Sequence, residues 1–360
     1  MKLKNLLQFI LLICLGFAVQ TAQAQEEGNS EIEQPRVNLK EREKNANPQV
    51  LQKLKDLRLE IINQKLTYEI GYTTVLDDPI RPAVKRPSER TMENMTKQNQ
   101  EALKIINQEK IPTIEELLAE EPTSDSVGSS PKIMSNSRSR CSARRAMNYD
   151  SYLPGIRNQG SCGSCWAFAG GGIVDINYRL RYGRRANVAE QELVDCAGGA
   201  ISGQIDGCGG FFIESVMLHL QFDGVAWEDR YSYEGRDTGR CRNPNFSYKV
   251  STWGWAGFGY ASKEQIKDAL CRYGPVATTL EVTDKFQAYT GGVFSDKPRS
   301  RYGVIPQINH AVIIVGWDDD KGAWRVRNSW GRNWGEDGYG WVKYEHNAIG
   351  WDTVWAVVKK

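Results

Sequence analysis

Seven of the eight cysteines lie between residues 141 and 271, and the eighth, Cys14, sits in an apolar run near the N-terminus. No other residue type constrains this chain as tightly. Cross-links fix which distant segments must meet, and an odd number leaves one thiol over. The run around Cys14 has the layout of a secretory signal: "MKLKN" brings two lysines, "LLQFILLICLGFAV" is apolar, and "TAQAQ" offers an Ala-x-Ala site ending at Ala24. We expect residues 1–24 to be removed on export, taking Cys14 with them. The competing reading is a membrane anchor, but the run is short for a span. Ile13, where a lipoprotein site wants a small residue, makes lipidation a minor option. Export places the chain in an oxidising compartment, where Cys141, Cys162, Cys165, Cys196, Cys208, Cys241 and Cys271 should pair. Six can. The seventh is a candidate reactive group.

The composition breaks at about residue 140. All 11 tryptophans lie at or after Trp166, whereas residues 25–140 are rich in Glu, Lys, Gln, Asn and Arg. Two stretches of that region carry helical spacing, "PQVLQKLKDLRLEIINQKL" (48–66) and "ERTMENMTKQNQEALKIINQ" (89–108). Between them "YEIGYTTVLDDPIRP" reads as extended and is closed by prolines. Residues 120–140 form a Ser/Pro/Gly/Arg linker that a protease would cut readily. We read 25–140 as a partly folded prosegment plus linker that needs the later domain to bury its apolar stripes, rather than as a disordered spacer. From 141 to 360 the pattern is that of a folded domain. Helices are expected at 165–182, 189–196, 212–224 and 262–274; strands at 275–282, 310–318, 322–329, 339–345 and 353–359. Helices first and strands second imply an α+β fold in two halves with a cleft between them. A net charge of +2 gives no electrostatic argument for nucleic acid or an anionic membrane as partner.

The stretch "NQGSCGSCWAFAGGG" (158–172) holds Cys162 and Cys165. A thiol attacks as thiolate, and a helix N-terminus lowers its pKa through free N–H groups and the dipole. Cys165 stands where the loop gives way to an apolar helix; Cys162 lies earlier, in the loop. Position therefore favours Cys165 as nucleophile. A histidine base is needed, and three exist. His219 falls inside a helix pattern, His346 follows a strand in a turn, and His310 heads the buried strand pattern "AVIIVGW". A strand end at a cleft suits a general base. Zinc would want a second Cys-x-x-Cys or a histidine pair, and a redox Cys-x-x-Cys would follow a strand of a βαβ unit. Neither context is visible, and the chemistry calls for no cofactor or metal.

"QGSCGSCWAF" resembles the active-site segment of the papain and cathepsin cysteine proteases, whose signature is Cys-Gly-Ser-Cys-Trp with His and Asn far downstream. "INHAVIIVGWD" resembles the histidine segment, "VRNSWGRNWGEDGYGWVK" the asparagine segment, and "ELVDC" and "YSYEGRDTGRC" match further landmarks. The resemblance covers residues 146–360. It implies a papain-like fold with a helical half that begins its central helix at the catalytic cysteine and a barrel-like sheet half. It implies Cys165 as thiolate nucleophile, His310 as its imidazolium partner and acid, Asn328 orienting the imidazole, and Gln159 donating to the oxyanion. It makes Trp330 a cover over the His–Asn bond at the substrate cleft. Gly163, Gly209, Gly210 and Asn309 become substrate-binding candidates. It implies bridges Cys162–Cys208 and Cys196–Cys241, leaving Cys141 and Cys271 to pair with each other.

Departures accompany the resemblance. The family shows Cys-x-Gly-Gly where this chain has "GCGGFF", so one residue is missing or the cysteine is shifted. The family's usual prosegment helix pattern is not found in 25–140. "DKPRSRYGVIPQ" (296–307) reads as an inserted loop, and the family has larger residues where Gly170, Gly171 and Gly172 stand. Those glycines imply a close packing partner, with a tryptophan as the candidate. The expected function is an exported endopeptidase zymogen, secreted or periplasmic, or in a lysosome-type compartment of a eukaryote. Its substrates are peptides or proteins, its own prosegment is the inhibitor, and no stable membrane span remains after signal removal. Two alternatives stay open: an aminodipeptidase whose cleft is narrowed by 141–150, and a silent binding protein on the same fold.

Overall fold

The computed structural model describes residues 38–77, 89–119, 140–197, 207–242, 248–298 and 307–359. The signal reading of 1–24 and most of the 120–140 linker lie outside the described residues. The N-terminal region holds helices α1 (Leu39–Lys44) and α2 (Pro48–Asn63), a two-residue strand β1 (Glu69–Ile70), and helices α3 (Glu89–Glu109) and α4 (Ile114–Ala119). After strand β2 (Ala146–Asn148) come helices α5 (Cys165–Tyr182), α6 (Glu190–Cys196) and α7 (Ile213–Phe222). The sheet half comprises β3 (Val250–Trp255), helix α8 (Lys263–Tyr273), β4 (Val276–Leu280), a short α9 (Asp284–Gln287), β5 (Tyr289–Gly291), β6 (Val293–Phe294), β7 (His310–Asp318), β8 (Ala323–Arg327), β9 (Tyr339–Lys343) and β10 (Trp351–Val358).

The main sheet runs β3-β10-β4-β7-β8-β9-β6, with β2 added to one end of β7. Its pairings are antiparallel except β6 with β9. Eight of the nine β7 residues are buried, which is why "HAVIIVGWD" reads as an unbroken apolar run rather than an alternation. Its register sets His310 opposite Leu280 on β4 and puts β2 against Gly316–Asp318, the far end of the strand. Helix α8 starts where the chain dictates: Ser262 caps it, and Gln265 returns the bond to complete a capping box.

Helix α5 is buried along nearly its whole length and runs unbroken through its three glycines. A Cβ at Gly170 would lie 2.8 Å from Val216 of α7, one at Gly171 3.1 Å from Val188, and one at Gly172 2.6 Å from the Ile313 Cδ1 of β7. The glycines therefore let the helical half and the sheet half close on α5 from different sides. The expected close packing is present, but aliphatic side chains supply it, not a tryptophan. Three disulfides, Cys141–Cys271, Cys162–Cys208 and Cys196–Cys241, leave Cys165 as the free cysteine among the described residues.

The N-terminal region docks in two places. Glu69 and Ile70 pair with Gly291 and Tyr289, Tyr68 packs on Phe294, and Leu54, Leu57, Tyr72 and Leu76 form a small cluster with Ala288. Of the "YEIGYTTVLDDPIRP" stretch, expected extended, only these two residues form a strand; Thr74–Leu76 is a single 3-10 turn, and 78–82 lie outside the described residues. Helix α3 instead lies against β3, at the opposite edge of the main sheet from β6.

Candidate active site

Cys165 opens α5. Ser164 occupies the cap position, yet its hydroxyl does not cap; it shares a 2.6 Å hydrogen bond with the Tyr233 hydroxyl. The Ala167 and Phe168 N–H groups bond Ser164 O, but those of Cys165 and Trp166 are left to the Cys165 sulfur, whose pKa they lower. A third N–H, from Ala311, reaches the same sulfur. Ala311 follows His310 on β7, so the thiol lies near the strand that carries the imidazole.

His310 Nε2 lies 2.8 Å from Asn328 Oδ1. The Ser329 backbone N–H donates to that same oxygen, also at 2.8 Å. A backbone N–H can only donate, so it fixes which end of the amide is oxygen. Nε2 must then carry a proton, and Nδ1 is left as the proton acceptor of the neutral ring. The Trp330 indole lies over the imidazole at 4.5 Å between centroids and packs against Phe286 and Trp334. It is buried, so its place is beside the His–Asn bond rather than on an open cleft wall.

Gln159 is held from four directions. Its N–H donates to Ser329 O at 2.8 Å and its carbonyl accepts from Tyr233 Oη at 2.8 Å. Its Oε1 accepts from Ser329 Oγ at 2.6 Å, and Nε2 donates to Cys162 O at 2.8 Å. One Nε2 hydrogen remains for a ligand oxygen. Sequence reasoning missed Ser329 and Tyr233. Both stand inside quoted motifs, Ser329 directly after Asn328 and Tyr233 in "YSYEGRDTGRC", but their roles are tertiary contacts that no local pattern announces.

On the helical side, Gly163 N–H donates to Cys208 O at 3.1 Å, and Trp166 Nε1 donates to Gly207 O at 3.0 Å. Cys208 is bridged to Cys162 and is followed at once by Gly209 and Gly210, so the departure from Cys-x-Gly-Gly is one missing residue. Gly210 has φ +91°, a backbone state that side chains resist. Asn309 does not offer its amide to the cleft: Oδ1 accepts from Val282 N–H at 2.7 Å and Nδ2 donates to Val282 O at 3.1 Å.

In the full chain Cys165 and His310 are both buried. Burial pushes the thiol up to about 12, outweighing the three N–H groups that pull it down. Burial likewise holds the imidazole down to about 4, outweighing the Asn328 bond that raises it. Both shifts run toward the uncharged forms, and burial is the larger cause of each. Hydration would relax both shifts toward the ordinary values of the two groups.

The papain family cysteine protease model matches residues 140–357. The chain belongs to the papain family of cysteine proteases. Digestive cysteine proteinase 1 of Homarus americanus is 36% identical over 188 residues, 51% of this chain and 56% of that protein. Cathepsin K of Mus musculus is 31% identical over 204 residues, 55% of this chain and 59% of that protein. The chain thus spans little more than half the length of these curated relatives. The digestive procathepsin L 3 of the Tenebrio molitor larval midgut shares the fold, with a TM-score of 0.59 at 22% identity over 86% of this chain and 88% of that one. That share is larger than residues 140–357 alone account for. The papain-like, α+β reading of the fold holds.

Proposed function

We propose that the chain is the zymogen of an exported endopeptidase that hydrolyses peptide bonds through Cys165, His310, Asn328 and Gln159. The observation that carries this reading is the His310–Asn328 bond, whose oxygen the Ser329 N–H orients. It leaves Nδ1 as the nitrogen that exchanges a proton with the thiol. Once the site is hydrated, Nδ1 takes the Cys165 proton and the thiolate adds to the peptide carbonyl carbon. The oxyanion is met by the remaining Gln159 Nε2 hydrogen and by the first turn of α5. His310 then protonates the leaving amine as the C–N bond breaks. Water, deprotonated by the same imidazole, hydrolyses the acyl-thioester and regenerates the thiol.

The endopeptidase reading is favoured over the aminodipeptidase one by the route of residues 141–150. Cys141 is tied to Cys271 on α8, and Ala146–Asn148 pair at the end of β7 remote from His310. Nothing in that route narrows the site. The zymogen reading is supported by the burial of Cys165 and His310 and by the docking of residues 38–77 on 284–294. There Lys53 meets Asp284 at 2.7 Å and Lys285 meets Glu60 at 2.9 Å.

The test is labelling of the processed protein with an epoxide active-site inhibitor, with Cys165→Ala as control, followed by cleavage of a peptide library. Labelling with internal cleavage is expected. Labelling with cleavage two residues from free N-termini would favour the aminodipeptidase. No labelling and no cleavage would move the assignment to a silent binding protein.

A further inference from the structure

The two parts of the N-terminal region are attached in different ways. Residues 38–77 touch the protease domain through a two-residue strand pair, the Thr73 hydroxyl on Gln287 O, partly exposed ion pairs and a small cluster with Ala288, and they send only Tyr68 and Val75 into its main core. Residues 89–119 are built into it. Met95, Ala102, Ile106 and Ile114 are buried in the same core cluster as Trp253, Trp255, Leu270 and Trp355.

The polar contacts of α3 match it to an edge strand. β3 ends the sheet, so the outward main-chain groups of Trp253 and Trp255 have no neighbouring strand. Asn99 takes that place: its Oδ1 accepts from Trp255 N–H at 2.8 Å, and its Nδ2 donates to Trp255 O at 2.9 Å. Gln98 Nε2 donates to Trp253 O at 2.9 Å. The strand is shaped to receive this amide. A Cβ at Gly254 would lie 2.5 Å from Asn99 Oδ1, so the glycine leaves room for the asparagine. Farther along, Arg181 of α5 donates to Pro112 O at 2.8 Å, and the Cys141 N–H donates to Glu115 Oε1 at 2.8 Å.

Losing 89–119 would strip the edge strand of three hydrogen bonds and take Met95, Ala102, Ile106 and Ile114 out of the core. Neither consequence suits a segment meant to leave on activation. We propose that residues 89–119 are a resident component of the mature protease, remaining docked on β3 when the chain is cut on both sides of them. Residues 38–77 are the part that departs. This division rests on the zymogen reading; the retention of 89–119 does not.

The experiment uses the full chain with Cys165→Ala, so that it cannot digest itself. Recognition sequences for a site-specific protease are placed within 78–88 and within 120–139. After cutting at both, gel filtration should carry the 89–119 piece with the 140–360 domain. Asn99→Ala should weaken that retention about tenfold, and Gly254→Ala should weaken it too by displacing the same amide. Gln108→Ala, exposed on the same helix, should not. A 89–119 piece that elutes alone, leaving a monodisperse 140–360 domain with unchanged melting temperature, would overturn the proposal. Failure of the zymogen reading would show elsewhere, as unchanged activity when the chain with Cys165 intact is cut within 78–88.

Discussion

Replacing each glycine of the α5 triplet by alanine separates two kinds of close packing. At Gly170 the new Cβ would stand 2.8 Å from both Cβ and Cγ1 of Val216 and 3.0 Å from Cγ2. Val216 lies on α7, where a valine has one strongly preferred rotamer and cannot turn away. Helix must move from helix, and overpacking of this kind costs about 1–3 kcal/mol. Removing a glycine from a helix interior returns about 1 kcal/mol. With Val216 unable to yield, the net loss should be about 1–2 kcal/mol. At Gly172 the clash is with one terminal methyl, Ile313 Cδ1 at 2.6 Å, and the next atom is at 3.9 Å. That methyl can swing aside, so the propensity gain roughly cancels the packing cost. Thermal unfolding of the Cys165→Ala chain reads both. Gly170→Ala should lower the melting temperature by about 1–3 °C, and Gly172→Ala should leave it nearly unchanged. Equal losses at the two positions, or a gain at Gly170, would refute the claim that the rigidity of the facing side chain decides the outcome.

The imidazole of His310 is held down to about 4 from an ordinary 6.5 by burial. Its neutral form thus stabilises the folded chain above pH 6.5, and that stability is lost as the pH falls through about 4. The Cys165→Ala chain should lose ~3 kcal/mol more between pH 7 and 4 than the same chain with His310→Gln; parallel urea-midpoint curves would count against the buried neutral imidazole. Gln159→Ala should lower kcat/KM about 10²–10³-fold while the thiol still titrates, since it removes an oxyanion donor. Ser329→Ala should lower it less, because it frees Gln159 Oε1 without removing the donor. Arg157 meets both Glu190 and Asp175, two buried carboxylates. Arg157→Met should therefore cost about 3–5 kcal/mol in chemical denaturation, with Glu190→Gln recovering part of it.

What was legible in the sequence follows from the range of the interaction behind each feature. The helix at Cys165, the β7 run behind His310 and the Ser262 cap of α8 rest on neighbours within a few residues, and their bounds were readable to a residue or two. The strand β3 was not read. "VSTWGW" is interrupted by Gly254, and that glycine makes sense only beside Asn99, 156 positions before Trp255. The partner of the glycine triplet was misassigned for the same reason. Spacing tells that something packs closely there, and only the tertiary fold tells that it is Val216, Val188 and Ile313.

The nucleophile shows the same division within one residue. Its helix N-terminus, the local device that favours a thiolate, is plain in "SCGSCW" and is present as the N–H groups of Cys165 and Trp166. The opposing effect, burial of both Cys165 and His310, belongs to the whole chain and has no signature near either residue. Local sequence thus marks the candidate thiol, while burial, a property of the whole fold, pulls against its charged form. If activation opens the proposed site to water, the N–H groups of Cys165 and Trp166 are already in place to hold a thiolate.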